Sequence, residues 1–102
     1  MKKPTKAQER KQTPAYSGFI AYFPLAIKEV ARLSLVANEQ HNPGTPLHWD
    51  RSKSGDELDA LTRHLIDTAL DPVDDDNMLH ATKVAWRAMA NLQKLLENDK
   101  TK

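Results

Sequence analysis

At 102 residues the chain is the size of one domain, long enough for a core but short enough that self-association would help complete it. It has no cysteine, which excludes disulfides, thiolate zinc sites and thiol nucleophiles. Its 15 Lys and Arg nearly balance 14 Asp and Glu, so net charge argues neither for nor against nucleic acid, and no apolar run nears the roughly 20 residues of a membrane helix; neither a membrane nor duplex nucleic acid is expected as a partner.

Residues 1–14 are rich in Lys, Gln, Thr and Pro with little to bury, and read as a disordered basic tail. They lack the apolar segment of a secretory signal, so a cytoplasmic protein is expected. An aromatic lead-in, Tyr16 to Phe23, precedes Pro24, which suits a first helical turn. The first helix is predicted from about Pro24 to Gln40, ended by Asn42-Pro43-Gly44. Within it Glu29 shares a face with Leu25, Leu33 and Val36. A carboxylate there is costly to bury unless a cation, a metal or several donors meet it.

A polar loop, His41 to Lys53, carries Trp49 as its largest apolar group. Ser54-Gly55-Asp56-Glu57 reads as a capping box opening a second helix to about Leu70, with Leu58, Leu61, Leu65 and Ala69 as its apolar stripe. Asp71-Pro72 ends it. The acidic run Asp74-Asp75-Asp76 then leads a third helix, Asn77 to Glu97, facing the core with Ala81, Val84, Ala85, Ala88, Leu92, Leu95 and Leu96. Nothing reads as a strand or a repeat. The expected fold is all-α: a small antiparallel bundle of three main helices over 15–98, with a short tail at 99–102, completed by oligomerisation.

His80, Lys83 and Arg87 fall at i, i+3 and i+7, with Asn91 continuing the stripe. Beside an apolar face this is either an anion site, with Arg as a fork, Lys as a point charge and His as a switchable donor, or a solvated basic edge. Glu29 could pair with a cation, or hold Mg²⁺ with carboxylates among Glu39, Asp67 and Asp74 to Asp76. The four histidines form no H-x-x-x-H pair, which argues against zinc. With three glycines there is no glycine-rich phosphate loop, and no Ser-His-Asp signature is present. Trp49 and Trp86 could stack on a base or simply fill core.

Phe23 through Arg32, followed by Asn38-Glu39-Gln40-His41-Asn42-Pro43-Gly44, resembles the small phage domain named for dATP/dGTP diphosphohydrolases. Asp59 to Leu65, and His80 through Ala85-Trp86, look like its next two motifs, so the resemblance spans Phe23 to Leu96. It implies a helical, oligomeric relative of the MazG-like pyrophosphatases, which cleave nucleoside triphosphates to monophosphate and pyrophosphate with Mg²⁺ on helix-borne carboxylates. Carried over by position, Glu29 and Glu39 look like the catalytic, metal-holding pair, with Asp75 as a third metal candidate. Arg63, His64 and His80 look like pocket residues, joined by Lys83, Arg87 and Trp49.

Where the family pattern has a second histidine and an asparagine, this chain has Lys83 and Arg87. Both add a cation, which opposes Mg²⁺ and favours phosphate. Three readings follow. The first is a phage-type protein that binds or sequesters a purine or cyclic nucleotide, such as a host-defence signal, in the host cytoplasm. The second is an active Mg²⁺-dependent dATP/dGTP pyrophosphohydrolase. The third is a ligand-free helical scaffold in which Glu29 pairs with Arg63 or Arg87.

Overall fold

The computed structural model describes residues 5–52 and 55–98. Helix α1, Lys6–Gln12, lies inside the stretch expected as a tail and buries no residue. Its start is a capping box: the Thr5 hydroxyl accepts from the Gln8 amide at 3.1 Å, and the Gln8 side chain accepts from the Thr5 amide at 2.8 Å. A π-helical turn, Tyr16–Ile20, follows. Phe19 and Tyr22 then meet Phe23 edge-on, with centroids 6.0 and 5.9 Å away.

Helix α2 spans Pro24–His41 with proline in its first turn. It stops where predicted, and Gly44 supplies the left-handed backbone, φ 80°, that turns the chain. Helix α3 runs Glu57–Leu70 and helix α4 His80–Asn98. Ser54 of the expected capping box lies outside the described residues; Asp56 occupies the cap position and makes no capping bond.

The link between α3 and α4 differs from expectation, because α4 begins three residues later than predicted. Asp74-Asp75-Asp76-Asn77 forms a tight turn, not a helical lead: the Asn77 amide donates to the Asp74 carbonyl at 3.0 Å, and the Asp74 amide to the Met78 carbonyl at 2.8 Å. An isolated antiparallel bridge, Val73 to Leu79, closes it. Asn77 sits at φ 63°, a left-handed conformation that asparagine tolerates better than most residues. Met78, only 1% exposed, pins the turn to the core.

Side-chain bonds give the directions of packing. Glu57, at the start of α3, meets Arg87 and Lys94 late in α4, while His64 meets His80 at the start of α4. On α2, Ser34 meets Trp86, and Gln40 meets Asp76 just before α4. Helix α4 therefore runs antiparallel to both α2 and α3, and the main contact is α3 on α4.

The face that α4 turns inward is not the apolar one. His80, Thr82 and Ala90 are buried, and Lys83, Arg87 and Lys94 are half-buried. These residues fall at a spacing of three and four, so the seam against α3 is polar. Ala81, Ala88, Leu92, Leu95 and Leu96, predicted to be core, are exposed. So are Leu58, Leu65 and Ala69 of the stripe predicted on α3. Leu61, Val84 and Ala85 of those stripes are half-buried, so only part of each predicted face turns inward. The apolar core is correspondingly small: Leu33, Ala60, Met78 and Ala90.

Candidate functional site

Between α2, α3, α4 and the loop after α2 lies a cavity of about 300 Å³. Trp49, His64, Lys83 and Arg87 line it, together with Glu57 and Asp76. Four of the residues expected to bind ligand therefore meet in one place, although they come from a loop and two helices. A larger hollow of about 680 Å³ lies alongside, sharing Trp49 and Trp86 with the first. The two indoles meet edge to face at 5.6 Å, and the Trp86 Nε1–H donates to Ser34 Oγ at 2.9 Å. The Arg51 guanidinium lies 4.2 Å from the Trp49 ring centre while bonding Glu97.

The buried acid of this protein is Glu57, not Glu29. The Glu57 side chain is 5% exposed and receives Arg87 Nη1 at 2.9 Å and Lys94 Nζ at 2.6 Å. Glu29 is 43% exposed and pairs within its own helix with Arg32 at 3.0 Å, which holds its carboxyl below the usual range. Its apolar neighbours did not enclose it: Leu25 is exposed, and only Leu33 of the stripe is fully buried. Neither Arg63 nor Arg87 pairs with Glu29. Arg63 reaches outward to Asp56 at 3.6 Å and stays exposed, away from the cavity.

The expected cationic excess at Lys83 is also corrected. Lys83 Nζ bonds Asp74 at 2.6 Å and Asp76 at 2.8 Å, so two carboxylates answer one ammonium. Burial opposes charge on Lys83, but the two acids outweigh it and raise its pKa. For Asp76, burial pushes the pKa up, but hydrogen bonds from Lys83, the Met78 amide and Gln40 overcome it and bring it to about 2. Asp74 is lowered first by its bond from Lys83. The alternation within the acidic run explains this: Asp74 and Asp76 turn inward, while Asp75 is exposed and contributes only its backbone amide, which donates to Asp74 at 2.7 Å. Further along α4, Arg87 and Lys94 both donate to the carboxylate of Glu57.

His80 does not reach the cavity wall but stands behind it. Its Nδ1 lies 3.0 Å from Nδ1 of His64, and 3.8 Å from Asp74. Burial, then the charge on Lys83, lowers the pKa of His64 and disfavours its charged form.

The carboxylates that the resemblance offered to Mg²⁺ do not fit one ion. Glu29 and Glu39 lie ten residues apart on α2, a rise of about 15 Å. Glu39 and Asp75 are exposed. Among the described residues the set of three or more ligand-type side chains close enough to share an ion is His64, Asp67 and His80.

Glu57 and Ser34 were missed as site residues, and Asp74 and Asp76, weighed as Mg²⁺ ligands, were not seen as partners of Lys83. Glu57 read as a helix cap and the aspartates as a helix lead, and only their partners 30, 9 and 7 residues away show otherwise. Asn38 is likewise unforeseen: its Nδ2 donates to the Thr45 carbonyl at 3.1 Å, and its buried Oδ1 has no partner.

An all-helical domain closing on a polar, tryptophan-walled cavity is the class that the fold defines. The family described as dATP/dGTP diphosphohydrolase, N-terminal, matches residues 3–102, and the chain belongs to it. No curated protein and no solved structure matches. No helix among the described residues is long and apolar enough to cross a membrane.

Proposed function

We propose that this protein binds a purine nucleotide in the cavity between α2, α3 and α4 and retains it intact, sequestering it as a nucleotide sponge would. The observation that carries the proposal is the meeting of Trp49, His64, Lys83 and Arg87 around one cavity of about 300 Å³. An indole face offers stacking to a base. Arg87 and Lys83 line the same cavity and supply the fork and the point charge that suit a phosphate. Binding is favoured over cleavage because Glu29 and Glu39 do not converge with Asp75 on one ion.

Membership of the diphosphohydrolase family favours the second reading, an active Mg²⁺-dependent pyrophosphohydrolase on dATP and dGTP. Neither reading dispenses with self-association. Leu58, Leu65, Ile66 and Leu70 on α3, with Met89, Leu92, Leu95 and Leu96 on α4, are exposed apolar surface, and a second copy of the chain would cover it.

One experiment separates the readings. Purified protein is incubated with dATP, dGTP and cyclic dinucleotides, with and without Mg²⁺, and the nucleotides are analysed by chromatography after heat denaturation. Intact ligand released from the denatured protein supports sequestration. Metal-dependent monophosphate and pyrophosphate would establish the enzyme, and no retention of any nucleotide would refute both. Light scattering on the same sample is expected to show a species larger than one chain.

A further inference from the structure

We propose that His64, Asp67 and His80 form a site for one divalent transition-metal ion, set behind the cavity wall. One ligand atom from each lies within 4.8 Å of the others. His64 and Asp67 stand at i and i+3 on α3, so they project from the same face. His80 arrives from the first residue of α4, across the tight turn at Asn77. The three ligands thus come from two rigid helices joined by a pinned link, and the site is assembled by the fold itself.

The spacing suits an ion. Two imidazole nitrogens held at bonds of about 2.1 Å and at a right angle are separated by about 3.0 Å. The two Nδ1 atoms are 3.0 Å apart. Without an ion, one Nδ1 donates a proton to the other; with one, that proton moves to the Nε2 of the same ring and both lone pairs turn to the metal.

Asp74 stands 3.8 Å from His80 Nδ1 and brings a carboxylate beside the imidazoles, while the Lys83 ammonium that it bonds opposes positive charge on His64. The Asp67 carboxylate is half-buried and is answered by no donor among the described residues. Two histidines and one carboxylate leave several coordination positions open, and His64 lines the cavity, so those positions are within reach of what the cavity holds. Nitrogen-rich ligation selects Co²⁺, Ni²⁺, Cu²⁺ or Zn²⁺ over Mg²⁺, which prefers oxygen. The absence of an H-x-x-x-H pair does not weigh against this, because the second histidine comes from another helix.

The test uses the metal alone, so it is independent of nucleotide binding. Untagged protein freed of metal with a chelator is titrated calorimetrically with Zn²⁺, Co²⁺ and Mg²⁺, and the visible spectrum of the Co²⁺ form is recorded. One Co²⁺ or Zn²⁺ per chain is expected, at least about tenfold tighter than Mg²⁺, with each of His80→Asn and Asp67→Asn weakening it at least about tenfold. Circular dichroism checks folding; Asp67, half-buried and without a donor, carries the test if the His80 variant unfolds. Failure to bind, equal preference for Mg²⁺, or affinity and Co²⁺ spectrum unchanged in Asp67→Asn would each overturn the proposal.

Discussion

Replacing Glu57 by glutamine should destabilise this protein more than any other single loss of charge. The carboxylate is 5% exposed, and its partners Arg87 and Lys94 are 31% and 21% exposed. Removing one member of a fully buried ion pair costs about 3–5 kcal/mol, because it strands the other charge out of water. Here the two stranded cations keep partial access to solvent, and the amide oxygen of glutamine still accepts one bond. The expected loss is therefore about 2–3 kcal/mol, which for a domain of this size lowers Tm by roughly 10–15 °C. The assay is thermal and urea denaturation followed by circular dichroism at one fixed protein concentration, since self-association would shift Tm with concentration. Adding Lys94→Met to Glu57→Gln should recover part of the loss by removing one stranded cation. A change below about 0.5 kcal/mol in the single variant would refute the assignment of Glu57 as the buried acid.

Glu29→Gln, by contrast, should leave Tm unchanged in the same assay, because its bond to Arg32 is exposed and local; a large loss would mean that Glu29 is enclosed by something other than its own chain. Lys83→Met should cost about 2 kcal/mol and raise the pKa of both Asp74 and Asp76, readable by carboxyl carbon NMR. Acid titration of stability should show two windows. Asp76, held at about 2 against the ordinary 3.8 of an aspartate, contributes fully above pH 4, and that contribution is lost as pH falls toward 2. His64, lowered from 6.5, makes the unfolded chain the better proton binder, so stability should also decline as pH falls below about 6.5, and His64→Asn should remove that slope. Arg87→Asn should weaken nucleotide retention in the chromatographic assay, and unchanged affinity would place the phosphates elsewhere.

The limits of α2 were legible because proline and glycine act locally: Pro24 opens the helix, and the turn at Gly44 closes it. The start of α4 was not, because a run of aspartates reads as a helix lead by composition. Whether it becomes one depends on Met78 reaching the core and Asn77 taking a left-handed turn, neither of which charge announces. Periodicity shows which residues share a face of α3 or α4, but not which face turns inward. The stripe of His80, Lys83 and Arg87 was seen, yet its acids were not, since Glu57 lies 30 residues before Arg87. Likewise, Glu29 drew attention from its sequence neighbours, whereas enclosure is decided by what packs against a residue.

The polar contact between α3 and α4 also limits how the two helices can be aligned. Two greasy surfaces can slide by a turn and lose little, because one leucine fits much as another. Here a shift of α4 by one turn would carry Arg87 and Lys94 away from Glu57 and leave a carboxylate enclosed without a counter-ion, at a cost of several kcal/mol. The hairpin consequently has a single alignment that keeps the carboxylate of Glu57 paired, and in that alignment His80 stands opposite His64.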